Sequence, residues 1–459
     1  MADPDPGNGQ DAEADAASGD QAASGADSVG GHAARARLRP GGETAASEVP
    51  WLSALANGEP GLSRVAALGQ TAQSAMRLAR ATECLAALDE QRAAAGTDPP
   101  ALVWALTVSA VCRAILGQLT RSRADLAEAR NACLYAAPIL AQPYWQFAEV
   151  ICDWLGGDWE AARPNAAALN AGQDGTITPV LDGVVLALRT DLLRGQGLVR
   201  ESRQLAMQLA AAAPTEISAW AQAGLDADDG RAGDALHRLA EACDVGGRSM
   251  YRAELPLVLH RMAEIAFSRG DRDLTGYAAD ALAGLDQAAP LTEILTGLAR
   301  AYATADPGPA ERAQHLAEAE GARMLAAEAL TVRGRVGDDP AKTLAAAHAA
   351  WDRVGAPARA RAVASAMRSA GLAVPPTRHQ RAARVPAKGP AGLTARERSV
   401  ALLVHEGRTN QQIANALRIS VKTVEAYLTR LYRKTSCSSR VDLAVAVAQW
   451  RLQMGEKDR

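Results

Sequence analysis

The side chains best suited to chemistry in this chain stand on one stretch near its C-terminal end. Read at roughly 100° per residue from Ser420 to about Thr435, Lys422, Glu425, Ala426, Thr429 and Arg433 share one side of a helix. Val424, Leu428, Leu431 and Thr435 share the other. One side packs; the other offers donors and acceptors. Its chemistry is recognition rather than catalysis, because a row of such groups on a helix can bond base edges in a major groove about 12 Å wide and the phosphates beside it.

The neighbouring elements that must hold this helix are each announced by a local signal. Thr394 with Glu397 forms a capping box, Val400, Leu403 and Val404 follow at helical spacing, and Gly407 closes the helix. Thr409 with Gln412 repeats the pattern and opens a short helix with Ile413, Ala414 and Leu417 on its apolar face. Arg418 and Ile419 make a tight connection, and Ser420 is the N-cap of the reading helix. Ser439 with Asp442 caps a fourth helix, on which Val441, Val445, Ala448 and Leu452 lie along one stripe. A short helix, a turn of about three residues and a second helix with a polar outer face make a helix-turn-helix.

The run LTARE at 393–397, EG at 406–407, TNQQIA at 409–414, LRISVKTV at 417–424, YRKT at 432–435 and SRVDL at 439–443 resembles the LuxR-type helix-turn-helix domain of bacterial transcription regulators. That resemblance implies a DNA-binding domain over 393–455. It implies that Thr423 touches a phosphate, that Glu425, Ala426 and Thr429 face base edges, and that Lys422, Arg430, Arg433 and Lys434 grip the backbone. It also implies a dimer contact through the fourth helix, at Val441, Val445 and Ala448. The chain departs from the family pattern at Tyr427, at Thr435-Ser436 and at Glu425, whose carboxylate can accept from cytosine N4 but repels phosphate.

Composition agrees with an all-α chain. Aromatic residues make up 4% of 459 residues, while 48% are hydrophobic, a mix that suits close-packed helices better than strands. The net charge of −3 hides a polarity. From Arg378 onward sixteen Lys or Arg stand against six Asp or Glu, so this end carries +10 and the preceding residues −13.

Between 49 and 371 the chain reads as a tetratricopeptide-like α-solenoid. Gly117, Gly157, Gly197, Gly230, Gly270 and Gly308 recur at separations of 40, 40, 33, 40 and 38, each closing an apolar helix and opening a charged, Ala-rich one. Trp104, Tyr144, Trp145, Trp154 and Trp220 lie on the longer first helices, where packing between hairpins is their expected role. The stretch from Ala350 to Leu372 resembles the solenoid of the large ATP-binding LuxR regulators. Their ATPase module is not expected here, because no G-x-x-x-x-G-K-[S/T] occurs in the sequence.

Residues 1–48, with nine acidic side chains, three arginines and few aliphatics, are expected to be a disordered acidic tail. Residues 372–392, rich in Pro and basic residues, are expected to form a flexible linker. Six isolated cysteines without C-x-x-C spacing suggest free thiols and a reducing cytoplasm. The expected partners are double-stranded DNA bound by a homodimer, and RNA polymerase or a protein or small-molecule effector on the solenoid. No membrane, metal, cofactor or catalytic residue is expected, since the histidines stand alone and neither G-x-S-x-G nor H-E-x-x-H is present. Two other readings stay open: a helical scaffold whose terminal bundle binds protein, and a sigma-factor-like subunit.

Overall fold

Left-handed turn residues divide the chain into hairpins. The computed structural model describes residues 60–133, 141–171, 179–212, 216–246, 252–337, 339–377, 393–435, 437 and 439–455. The expected tail at 1–48 and linker residues 378–392 lie outside them. The described residues contain twenty-one α-helices and no strand.

Eight hairpins come first. They are α1 (Pro60–Arg77) with α2 (Ala81–Ala95), α3 (Pro99–Ile115) with α4 (Leu119–Cys133), α5 (Gln142–Leu155) with α6 (Trp159–Ala171), and α7 (Pro179–Gln196) with α8 (Val199–Ala212). Next are α9 (Glu216–Asp228) with α10 (Ala232–Gly246), α11 (Leu255–Arg269) with α12 (Arg272–Ala283), α13 (Pro290–Thr304) with α14 (Gly308–Ala319), and α15 (Arg323–Val336) with α16 (Pro340–Val354). Helix α17 (Pro357–Ser369) ends the array, and Leu372 and Val374 pack against its core. A second core belongs to α18 (Ala395–His405), α19 (Asn410–Leu417), α20 (Val421–Thr435) and α21 (Arg440–Gly455).

Local signals explain the helix starts. Pro sits in the first turn of α3, α5, α11, α13, α16 and α17, where its missing N–H costs nothing. Asp98, Asp271 and Asp339 accept first-turn N–H groups at 3.1, 3.0 and 3.2 Å. The five aromatic residues expected to pack do so: all are buried, and Trp154 meets Trp220 edge to face at 5.9 Å.

Of the repeating glycines, Gly117, Gly157, Gly197, Gly230 and Gly270 take positive φ in their hairpin turns. Gly308 does not. It is the first residue of α14, and the left-handed position in that turn is Ala305, at φ 53°. Ala79, at φ 56°, plays the same part between α1 and α2.

The early turns also dock on helices far along the chain. Thr82 donates its backbone N–H to Asp286 Oδ2 at 2.7 Å, 204 residues away. Leu291 N–H donates to the Leu116 carbonyl at 3.0 Å, and Arg323 Nε to the Gly156 carbonyl at 2.6 Å, 167 residues away. Trp159 and Trp351 meet edge to face at 6.4 Å. One turn of the superhelix therefore rests on the next.

This separates the turn glycines into two kinds. A Cβ at Gly117 would lie 2.8 Å from Leu291 N and one at Gly157 2.9 Å from Val354 Cγ2, whereas nothing lies within 4 Å at Gly230. Gly230→Ala is expected to cost about 1 kcal/mol, from the left-handed backbone alone. Gly117→Ala should cost more than twice as much, because the seam must also part. Urea midpoints of the two variants check the ordering.

A charge cluster centred on the buried Asp191 joins α7, α11, α15 and α17. Asp191 Oδ1, on α7, accepts from Arg194 at 2.9 Å, from Arg261 of α11 at 3.3 Å and from Arg359 of α17 at 3.4 Å. Arg359 also reaches Glu328 of α15 at 3.5 Å, and Arg261 lies 3.6 Å from Glu264. Arg261 stacks over Trp220 and Arg359 over Trp351, with 4.7 and 5.2 Å to the ring centroids. All six cysteines are free. No described helix is long and apolar enough to cross a membrane.

Candidate nucleic-acid interface

Four side-chain caps and one buried core build the C-terminal bundle. Thr394 N–H donates to Glu397 Oε2 at 2.8 Å while Glu397 N–H donates to Thr394 Oγ1 at 3.2 Å, which starts α18. The same reciprocal pair at Thr409 and Gln412, at 2.9 and 3.3 Å, starts α19. Ser420 Oγ accepts the Thr423 N–H at 3.1 Å and starts α20. Between α19 and α20 the chain reverses at Arg418, which takes φ 51°, ψ 50°. Ser439 Oγ accepts the Asp442 N–H at 3.1 Å at the start of α21.

Helix α20 divides as its spacing requires. Val424, Leu428, Leu431 and Thr435 are buried, packed with Val400, Val404, Ile413 and Ala414 of α18 and α19. Lys422, Glu425, Ala426, Thr429, Arg430 and Lys434 are exposed, and Thr423 is half-buried. Arg433 belongs to the helix, but its side chain lies outside the described residues. The Thr429 hydroxyl donates to the Glu425 carbonyl at 3.0 Å, which fixes its rotamer and leaves its oxygen free to accept. Arg430 lies over the Tyr427 ring, 5.3 Å from its centroid, a cation–π contact on the exposed side.

Two features of this site were not readable from local pattern. Lys434 Nζ donates to Glu397 Oε2 at 2.8 Å, joining the capping box of α18 to the far end of α20. The Lys434 ammonium and the Thr394 N–H both bond the Glu397 carboxylate and hold its pKa at about 2. Arg440 reaches back to Asn410 Oδ1 at 3.0 Å and to the Arg408 carbonyl, tying α21 to the start of α19.

On α21 the buried side is Leu443, Ala446, Val447 and Trp450. Val441 and Val445, two members of the expected stripe, are 69% and 52% exposed; Ala448 is half-buried, and the Leu452 side chain lies outside the described residues. Val441 and Val445 are thus not consumed by the core of their own bundle. Trp450, between Ala448 and Leu452 in sequence, fills that core instead.

Residues 391–447 match the family described as bacterial regulatory proteins, luxR family. A Mycobacterium bovis protein named as an HTH-type transcriptional regulator, Mb0914c, is 44% identical over 64 residues, 14% of this chain and 7% of that protein. Response regulator Rre1 of Synechocystis is 48% identical over 50 residues, 11% of this chain and 22% of its own. The monoamine regulon transcriptional regulator of Klebsiella aerogenes is 43% identical over 54 residues, 12% of this chain and 24% of its own. The chain therefore spans 7% of the length of the first of these relatives. No solved structure matches the chain. The family match and the helix-turn-helix geometry together make the C-terminal bundle, residues 391–447, a luxR-family regulatory domain.

Proposed function

We propose that this chain is a sequence-specific DNA-binding transcriptional regulator that lays α20 in the major groove. The observation that carries this is the clean division of α20 into a buried apolar side and an exposed side of polar and basic groups, inside a luxR-family domain. Glu425, Ala426 and Thr429 read base edges, Thr423 contacts a phosphate, and Lys422, Arg430 and Arg433 hold the backbone, with Lys434 joining them only where it leaves Glu397. Two such heads pair through Val441, Val445 and Ala448 on half-sites about one helical turn, roughly 34 Å, apart. The helical repeats serve as a docking or sensing module for an effector or for RNA polymerase.

Selection of bound genomic fragments with the purified chain, followed by anisotropy titrations, tests this reading. Thr429→Ala should reduce discrimination between the selected site and random DNA by about 1–3 kcal/mol. Lys422→Ala should weaken both alike. Both side chains are exposed, so neither change removes core packing. Equal losses on specific and random DNA from both variants would refute the division of the helix into reading and gripping residues.

A further inference from the structure

At the seam between superhelical turns, the α5–α6 turn at Gly157 faces the ends of α15 and α16 across a cleft of about 270 Å³. Its floor is apolar, made by Ala326, Ala327, Leu330 and Val354. Its rim carries two exposed guanidinium groups, Arg323 and Arg353, against one carboxylate, Glu318. The Glu318 carboxylate already accepts from Gln314 Nε2 at 2.8 Å. Arg323 is held in place because its Nε donates to the Gly156 carbonyl at 2.6 Å, and its terminal nitrogens make no hydrogen bond or ion pair among the described residues. Arg353 makes no hydrogen bond or ion pair among the described residues.

An apolar floor with a net positive rim selects for an amphipathic anion. The cleft is smaller than the roughly 300–1,000 Å³ typical of ligand sites, so the occupant is a compact molecule. A planar carboxylate matches a guanidinium fork through two parallel hydrogen bonds. We propose that the cleft binds a small carboxylate with an apolar body, its head between Arg353 and Arg323 and its body on the alanine floor. Because the cleft is completed by Gly157, more than 160 residues before Arg323, such a ligand bridges two turns of the array.

Calorimetric titration of the full chain with octanoate, acetate and octylamine tests the proposal, and DNA binding is read in separate titrations, so the two readings can fail independently. Octanoate is expected to saturate one site per chain and to raise the melting temperature with concentration. Acetate lacks the body and octylamine carries the wrong charge, so neither should saturate. Arg353→Ala should weaken octanoate about tenfold or more, and Arg353→Lys less. Ala326→Leu, which fills the floor without touching the rim, should abolish binding. Absence of saturable octanoate binding, equal binding of octylamine, or unchanged affinity in Arg353→Ala would each overturn the proposal.

Discussion

Asp191→Asn is expected to destabilise the helical-repeat region by about 3–5 kcal/mol, the largest stability change of any single substitution considered. Asp191 is the shared acceptor of two buried arginines, Arg194 of α7 and Arg261 of α11, and of the half-buried Arg359 of α17. Removing its charge while keeping its shape leaves those cations in a dry interior without their central counter-ion. Burial pushes the Asp191 carboxyl up, but Arg194, Arg359 and Arg261 outweigh it and hold the group below the usual carboxylate range. The folded-state value therefore lies below the unfolded one, near 3.9. Its stabilisation is complete above that pH and is lost as the pH falls toward the folded value. The Asn variant should lose this part of the acid dependence. Asp228→Asn is the control: Asp228 pairs with the same Arg194 at 3.2 Å, but its side chain is 52% exposed, so the change should cost about 0–1 kcal/mol. Urea denaturation followed by far-UV circular dichroism compares the two, and equal losses would show that burial is not what decides.

Raising salt from about 50 to about 200 mM is expected to weaken DNA binding by about a thousandfold. The magnitude follows from how many cations the proposed reading puts on phosphates. Lys434 is engaged by Glu397, so that reading counts Lys422, Arg430 and Arg433 in each head. Two heads then neutralise about six phosphates, and log affinity should fall against log salt with a slope of about −5. If Lys434 left Glu397 to join them, the count would be about eight and the slope about −7. Lys434→Ala separates these cases. It should leave the slope unchanged while lowering the bundle's stability, because Glu397 loses its ammonium partner. A slope that becomes shallower by about two would place Lys434 on DNA instead.

The terminal bundle was legible because its instructions are local. Thr394 with Glu397, Thr409 with Gln412, Ser420 and Ser439 each act on an N–H three residues on, and all four caps form as read. The buried set on α20 was equally legible, since one helical period decides it. The hairpin turns read at Gly117, Gly157, Gly197, Gly230 and Gly270 were legible because glycine supplies the left-handed residue; the turn read at Gly308 was misplaced and that at Ala79 passed over, because Ala79 and Ala305 carry no mark that separates them from the alanines of any helix. The Glu397–Lys434 pair and the Trp450 contribution depend on how four helices cross, which spacing along one of them does not encode. The Asp191 cluster was least legible. Its partners lie up to 168 residues apart, and their meeting depends on the accumulated rotation of successive hairpins.

Contact between superhelical windings changes how the repeat array should come apart. An open stack of repeats frays from its ends, each unit answering only to its neighbours. Here, peeling away α17 would also strip Arg359 from Asp191 in the middle of the array, and lifting α13 would release the backbone bond at Leu116. Loss at one end is thus felt four or five units away, so amide exchange across these windings should report a shared opening event rather than a gradient from the tips.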